Sequence, residues 1–130
     1  MGWLDEPIWQ RRPVAEGWDD VPPDALVWIS IAAFDLDWRL SSDYVGNAGA
    51  GSLHGDRYAK VGEWIVGAKV VEVPMVCLDE NGAPSFTDGR HQYAWLRDHG
   101  LNSLPIQVPS RQAEFFEARF GTTGHVGTVL

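Results

Sequence analysis

The chain has 130 residues, of which 45% are hydrophobic and 22% charged, and its formal net charge is −8. This length suits one globular domain with a sizeable core. The acidic balance argues against non-specific DNA binding, because such proteins usually present a basic face to the phosphates. No apolar run approaches the roughly 20 residues of a membrane span, and the N-terminus lacks a signal-peptide pattern. We therefore expect a cytoplasmic protein without membrane insertion.

The charge is concentrated in the first half of the chain. Residues 1–53 carry three arginines and nine acidic residues, which suits a basic protein partner. Four prolines interrupt residues 1–24, and tryptophans stand between them at positions 3, 9 and 18. We predict an irregular segment over residues 1–24 that packs on the domain through these rings, with an exposed partner-binding arm as the alternative. The single cysteine, Cys77, excludes an internal disulfide and is expected to be a buried thiol.

Residues 25–34 are rich in β-branched and aromatic side chains without Gly or Pro, which predicts a strand covered on both faces. Beyond it, Asp35, Asp37 and Arg39 are expected to alternate outward. A loop follows over residues 41–55 and contains four glycines. It lacks the Gly-Lys-Ser/Thr sequence of a P-loop, so a mobile surface loop or lid is favoured over a phosphate cradle.

Residues 56–67 are predicted to be a helix, because four residues fall on one stripe: Tyr58, Val61, Gly62 and Ile65. A strand is predicted over 70–78, with Pro74 marking an edge or a bulge. Asn81-Gly82 then predicts a hairpin that returns as a strand over 84–87.

A second helix is predicted over 89–99, with Asp88 as its N-cap and Gly100 at its end. A strand over 104–108 and a last helix over 110–120, capped by Ser110, complete the predicted elements. The fold class is α/β (α+β mixed): residues 25–120 form one small mixed sheet flanked by about three helices. Residues 121–130 are predicted to be a C-terminal tail tipped by a short strand.

The strand–helix junction over residues 85–91 is the strongest candidate site. A helix start offers free N–H groups and a partial positive charge, Gly89 allows close approach, and Arg90 offers a bidentate fork. His91 adds a group that titrates near neutral pH. The alternative is structural, with Asp88 a helix cap, Arg90 solvated and His91 a packing residue. No histidine or cysteine spacing indicates a metal site.

The longer pattern resembles the ParB/sulfiredoxin-like fold and is most similar to the plasmid fertility inhibition factors. The resemblance is carried by the stretch from Pro74 to Gly100, by Leu104-Pro105-Ile106, and upstream by Gly55-Asp56-Arg57-Tyr58 with Glu63-Trp64. It implies a box that binds the phosphates of ATP or CTP, with Mg²⁺. The residues that match are Arg57, Asp88, Gly89, Arg90 and His91.

Two positions depart from the family pattern. Gln92 stands where a second basic residue is usual, which weakens the case for a triphosphate. Arg90 stands where sulfiredoxins carry a catalytic cysteine, which excludes peroxiredoxin repair. The absence of a following helix-turn-helix domain argues against a partition function.

The sequence and the resemblance together indicate two alternative functions. The first is a mobile-element protein that inhibits conjugal DNA transfer, acting on a component of the secretion or transfer machinery. It would bind a nucleotide with Arg57, Asp88, Gly89, Arg90 and His91, and Arg90 and His91 are the catalytic candidates for a triphosphatase or nuclease-like activity. The alternative is a non-enzymatic acidic inhibitor or adaptor that binds a basic partner, in which the box is structural only.

Overall fold

The computed structural model describes residues 6–12, 24–52, 55–68 and 70–130. The described strands are β1 Ile8–Gln10, β2 Ala25–Ser30, β3 Val70–Glu72, β4 Met75–Leu78, β5 Pro84–Asp88, β6 Ser103–Val108 and β7 Thr128–Val129. The described helices are α1 Ile31–Trp38, α2 Gly55–Ala68, α3 Arg90–Asp98 and α4 Ala113–Phe120. The predicted mixed α/β class is confirmed, with four helices and two small sheets in the described part of the chain.

The larger sheet has the order β2-β6-β4-β5. β6 pairs antiparallel with β2, from Val108 opposite Ala25 to Ser103 opposite Ser30, and parallel with β4. β4 and β5 form the hairpin that Asn81-Gly82 predicts, and Gly82 adopts the positive φ that such a turn requires. All six residues of β6 are buried, so this strand is the centre of the core.

The smaller sheet is parallel throughout and has the order β3-β1-β7. Its central strand lies in the segment that the sequence predicts to be irregular. Trp9 in β1 has no exposed surface, and its indole N–H donates to the carbonyl of Val126 across 2.8 Å. Trp3 and Trp18 lie outside the described residues. The predicted tail is tipped by β7, which completes this sheet.

The predicted strand over 25–34 is wrong beyond Ser30, where α1 begins. Ser30 caps α1 by accepting a hydrogen bond from the Ala33 backbone N–H across 3.3 Å. Within α1 the buried apolar residues are Ile31, Phe34 and Trp38, which is a helical spacing that the continuous apolar run conceals. Asp35 is therefore buried, against the prediction that it points outward.

The predicted strand over 70–78 is two strands that belong to different sheets. Pro74 separates them, since it has no N–H to donate to a ladder. Just before it, the Val73 N–H donates to the Gln10 carbonyl of the smaller sheet across 2.8 Å. The carbonyl of Pro74 itself accepts from the Gln107 N–H of the larger sheet across 2.9 Å. The chain thus crosses from the smaller to the larger sheet at this residue.

The helix α2 buries Gly62 and Ile65 of its predicted apolar stripe, and α4 buries Phe116 and Phe120. Ser110, however, is not a helix cap: it opens a 3-10 turn, and α4 begins only at Ala113. None of the described helices is long and apolar enough to cross a membrane.

Candidate functional site

The strand–helix junction turns at Gly89. This residue has φ +89°, and a Cβ there would lie 3.1 Å from both Cα and Cβ of Pro74, so only glycine fits without strain. The predicted capping role of Asp88 is wrong, because the N-cap of α3 is Gly89, one residue later. Asp88 is instead the last residue of β5, and its Oδ2 accepts a hydrogen bond from Arg12 Nη1 across 2.9 Å.

The junction lies in a cleft of about 450 Å³ between α2, β5 and the start of α3. All five residues that match the family box line this cleft: Arg57, Asp88, Gly89, Arg90 and His91. The structure thus brings together an arginine on one helix and a tetrapeptide more than 30 residues later in the chain. The lining also includes Arg12, Asp43 and Gln92, which the sequence did not single out as site residues.

The cleft carries positive charge that the described part of the chain does not neutralise. Arg57 is exposed and Arg90 is half-buried, and neither guanidinium makes a hydrogen bond or ion pair with another described residue. The start of α3 adds to this positive potential, since the N-terminal end of a helix carries a partial positive charge. This arrangement can hold an anion with several oxygen atoms, such as a phosphate chain.

His91 lies at the back of the cleft with 7% of its surface exposed. Its Nε2 is 2.8 Å from the Oγ of Ser52, which belongs to the glycine-containing loop. That loop is fastened to α3, because the Ala48 N–H donates to Asp98 Oδ2 across 3.0 Å and Arg97 Nη1 donates to the Val45 carbonyl across 2.8 Å. The loop is therefore held against α3 beside the cleft.

Asp43 fixes the start of this loop on β5. Its Oδ1 accepts hydrogen bonds from Trp38 Nε1 and Ser41 Oγ, at 2.8 and 2.7 Å. Its Oδ2 accepts from the Phe86 N–H across 2.8 Å, within three residues of Gly89. A carboxylate with this many donors is a structural anchor for the cleft. Its partners on β5 are more than 40 residues away, so no local sequence signal identifies it.

Arg12 connects the N-terminal segment to the cleft. Its Nη1 donates to a Glu72 carboxylate oxygen across 2.7 Å and to Asp88, and its Nε donates to the Val73 carbonyl across 2.8 Å. Only 14% of its side chain is exposed. The sole sequence signal for this residue is an Arg-Arg pair inside an acidic segment.

Gln92 lines the cleft, but its side chain makes a structural hydrogen bond. Its Nε2 donates to the backbone carbonyl of Glu72, which ties the first turn of α3 to β3. The position where the family pattern has a second basic residue therefore supplies no charge here.

A buried ionic cluster lies behind the loop. Arg97 donates to Asp35 across 3.0 Å and to Asp98 across 2.9 Å, and Tyr58 donates to Asp98 across 2.7 Å. Burial alone would raise the pKa of Asp98, but hydrogen bonds from Arg97, Tyr58 and the Ala48 N–H lower it overall. The pKa of Tyr58 is raised to about 12, chiefly by burial and in second place by its hydrogen bond to the Asp98 carboxylate. Arg97 Nη2 is buried without a hydrogen-bond partner in the described part of the chain.

The model of the plasmid fertility inhibition factor family matches residues 56–121. The match covers half of the chain and includes Arg57 and the whole junction from Asp88 to His91. The chain belongs to the plasmid fertility inhibition factor family. The wider resemblance to the ParB/sulfiredoxin superfamily stays a prediction.

A solved structure agrees with this family assignment at the level of the fold. It is the crystal structure of a gold(I) cyanide derivative of an oncogenic suppression activity protein, described as a plasmid fertility inhibition factor. The TM-score is 0.62 at 19% sequence identity, and the alignment covers 82% of this chain and 62% of that one. The chain thus spans less than two thirds of the length of that protein. A comparison with curated proteins gives no match.

Proposed function

We propose that this family member inhibits conjugal DNA transfer or a related plasmid process and binds the phosphates of a nucleotide in the cleft. The observation that carries the site is the convergence of Arg57 and Arg90, neither of them paired within the described chain, at the start of α3. Gly89 supplies the positive-φ turn from which α3 starts at the cleft. The family match supports the inhibitory role.

The residues present fit a phosphate chain. Arg90 is placed to give a bidentate contact, Arg57 approaches from α2, and His91 lines the cleft as a hydrogen-bond donor and as the candidate general acid if the nucleotide is hydrolysed. Within the described ranges, no group of three His, Cys, Asp or Glu residues is placed to hold a metal ion. Mg²⁺ would therefore be bound mainly by the triphosphate itself.

Calorimetric titration with ATP and CTP, with and without Mg²⁺, tests this proposal. We expect binding by the unmodified chain and a loss of about 10- to 100-fold in Arg90→Ala, because hydrogen bonds to charged groups contribute about 1.5–3 kcal/mol. Arg111→Ala is the matched control, since this exposed arginine lies in the turn before α4 and does not line the cleft. Absence of binding at millimolar nucleotide would exclude the nucleotide site.

A non-enzymatic adaptor that binds a basic partner is the second candidate. Two observations favour it: Arg12 is already paired with Glu72 and Asp88, and Gln92 contributes no charge. An assay of conjugal transfer with Arg90→Ala separates the two functions. If this variant inhibits transfer as well as the unmodified protein while failing to bind nucleotide, the adaptor function holds.

A further inference from the structure

An apolar groove of about 60 Å³ adjoins the cleft between α2 and β3. Its lining consists of Val61, Trp64, Ile65, Val70, Glu72 and Gln92. Val61 and Gln92 line both the groove and the cleft, so the two form one continuous surface. The groove thus begins where the positively charged region ends.

Trp64 is the most conspicuous residue of this groove, because 53% of its surface is exposed. Within the described residues its indole ring stacks on no other aromatic ring. This differs from Phe115, another exposed aromatic, which packs against Phe116 and the Arg119 guanidinium. An exposed, unstacked indole is the kind of side chain that binds a flat aromatic ligand.

The spacing along α2 aligns this ring with the phosphate cleft. Arg57, Val61 and Trp64 follow one another at intervals of four and three residues, which places them on one face of the helix. Seven residues of an α-helix span about 10 Å, so the ring lies roughly that far from Arg57 along the helix axis. A ribose and part of a triphosphate can cover this separation.

We propose that the groove is the base subsite of the nucleotide: the base stacks on the indole of Trp64 while its phosphates lie in the cleft. The groove is too small to enclose a base, so the base lies on the exposed face of the ring, with Glu72 and Gln92 at its edge. This inference rests on the proposed nucleotide site and adds that the site distinguishes a nucleotide from a bare phosphate chain.

Titration of the full chain with ATP and with tripolyphosphate, which lacks a base, tests the subsite. The variants are Trp64→Ala, Trp64→Phe and, as a control for an exposed aromatic elsewhere, Phe115→Ala. We expect Trp64→Ala to weaken ATP binding by about 5- to 100-fold and to leave tripolyphosphate binding unchanged. Trp64→Phe should retain most of the ATP affinity, and Phe115→Ala should change neither ligand.

The outcomes separate this inference from the proposal beneath it. If the unmodified chain binds tripolyphosphate and Trp64→Ala binds ATP as tightly as before, the base subsite is wrong and the phosphate site stands. If Trp64→Ala weakens both ligands equally, the ring acts on the phosphate site and the subsite is again wrong. If the unmodified chain binds neither ligand, both proposals fail.

Discussion

Arg12 and Asp88 are 76 residues apart in the chain, yet the Nη1 of Arg12 donates a hydrogen bond to Oδ2 of Asp88 across 2.9 Å. The Asp88 side chain remains 60% exposed at the rim of the cleft. Without a cation beside it, this carboxylate would repel an incoming phosphate. Arg12 thus contributes to the cleft by neutralising an acidic neighbour.

We predict that Arg12→Ala weakens tripolyphosphate binding and that adding Asp88→Asn restores most of the loss. In water a single uncompensated charge at about 4 Å contributes about 1 kcal/mol, which is roughly a fivefold effect, and the Asp88 side chain is mostly exposed to water. Isothermal titration at low ionic strength measures it, and added salt should reduce it. If Arg12→Ala binds tripolyphosphate as tightly as the double variant with Asp88→Asn, then Arg12 affects binding only by stabilising the fold and not by neutralising Asp88.

Gly62 provides a test of the contact between α2 and α3. A Cβ at this position would lie 2.1 Å from Nε1 of Trp95. We expect Gly62→Ala to lower the free energy of unfolding by about 1–3 kcal/mol, because overpacking forces neighbouring side chains to shift.

Gly67, in the same helix, is the matched control, since a Cβ there meets nothing within 4 Å. Gly67→Ala should be neutral or stabilise by up to about 1 kcal/mol. Urea unfolding measures both variants. If Gly62→Ala behaves like Gly67→Ala, the close approach of Trp95 to α2 is wrong.

Arg97 is expected to be the most sensitive arginine of the chain. Its side chain is 10% exposed and pairs with Asp35, which is itself buried. Arg97→Ala leaves that carboxylate with the exposed Arg39 and the Tyr44 hydroxyl, each 3.2 Å away, and we predict a loss of about 3 kcal/mol of unfolding free energy. Arg97→Lys should restore only part of it, because lysine lacks the planar fork. Arg111→Ala, at an exposed position, should change stability by less than about 0.5 kcal/mol.

The lowered pKa of Asp98 predicts a pH dependence of stability. A carboxyl whose pKa is lower in the folded than in the unfolded state stabilises the fold above the unfolded value, which is 3.8 here. That contribution is lost as the pH falls through the folded pKa. The difference in unfolding free energy between the unmodified chain and Asp98→Asn should therefore be constant above about pH 5 and shrink below pH 4.

Asp56→Asn is the control for this pH series, because Asp56 is exposed and its nearest described cation, Lys60, is 3.6 Å away. If the difference in unfolding free energy between the unmodified chain and Asp98→Asn persists unchanged to pH 2, the assigned hydrogen bonds of Asp98 are wrong.

The elements that sequence predicts well are those with local signals. The hairpin follows from Asn81-Gly82, and α2 follows from its apolar stripe. The junction at Gly89 is also visible, because a strand pattern gives way to a helix pattern there. Four of the five residues that match the family box are recognisable for the same reason, since Asp88 to His91 are contiguous; Arg57 lies 31 residues upstream.

The elements that sequence misses depend on distant partners. The apolar run from Ala25 to Phe34 conceals the start of α1, because a continuous apolar stretch fits a strand as well as a buried helix. Strand β1 is three residues long and is stabilised by strands 60 and 120 residues away. Arg12 and Asp43 acquire their partners only through such long-range pairings.

The strand pairings of the smaller sheet also bear on the order in which the protein folds. Its central strand is near the N-terminus, but its two neighbours are residues 70–72 and 128–129. Contacts between residues so far apart in sequence form slowly, because a long loop must close first. We therefore expect the local β4–β5 hairpin and the box to form early, and the long-range pairings of β2 with β6 and of β1 with its neighbours to form later. During folding, Asp88 is thus in place before the arginine that neutralises it.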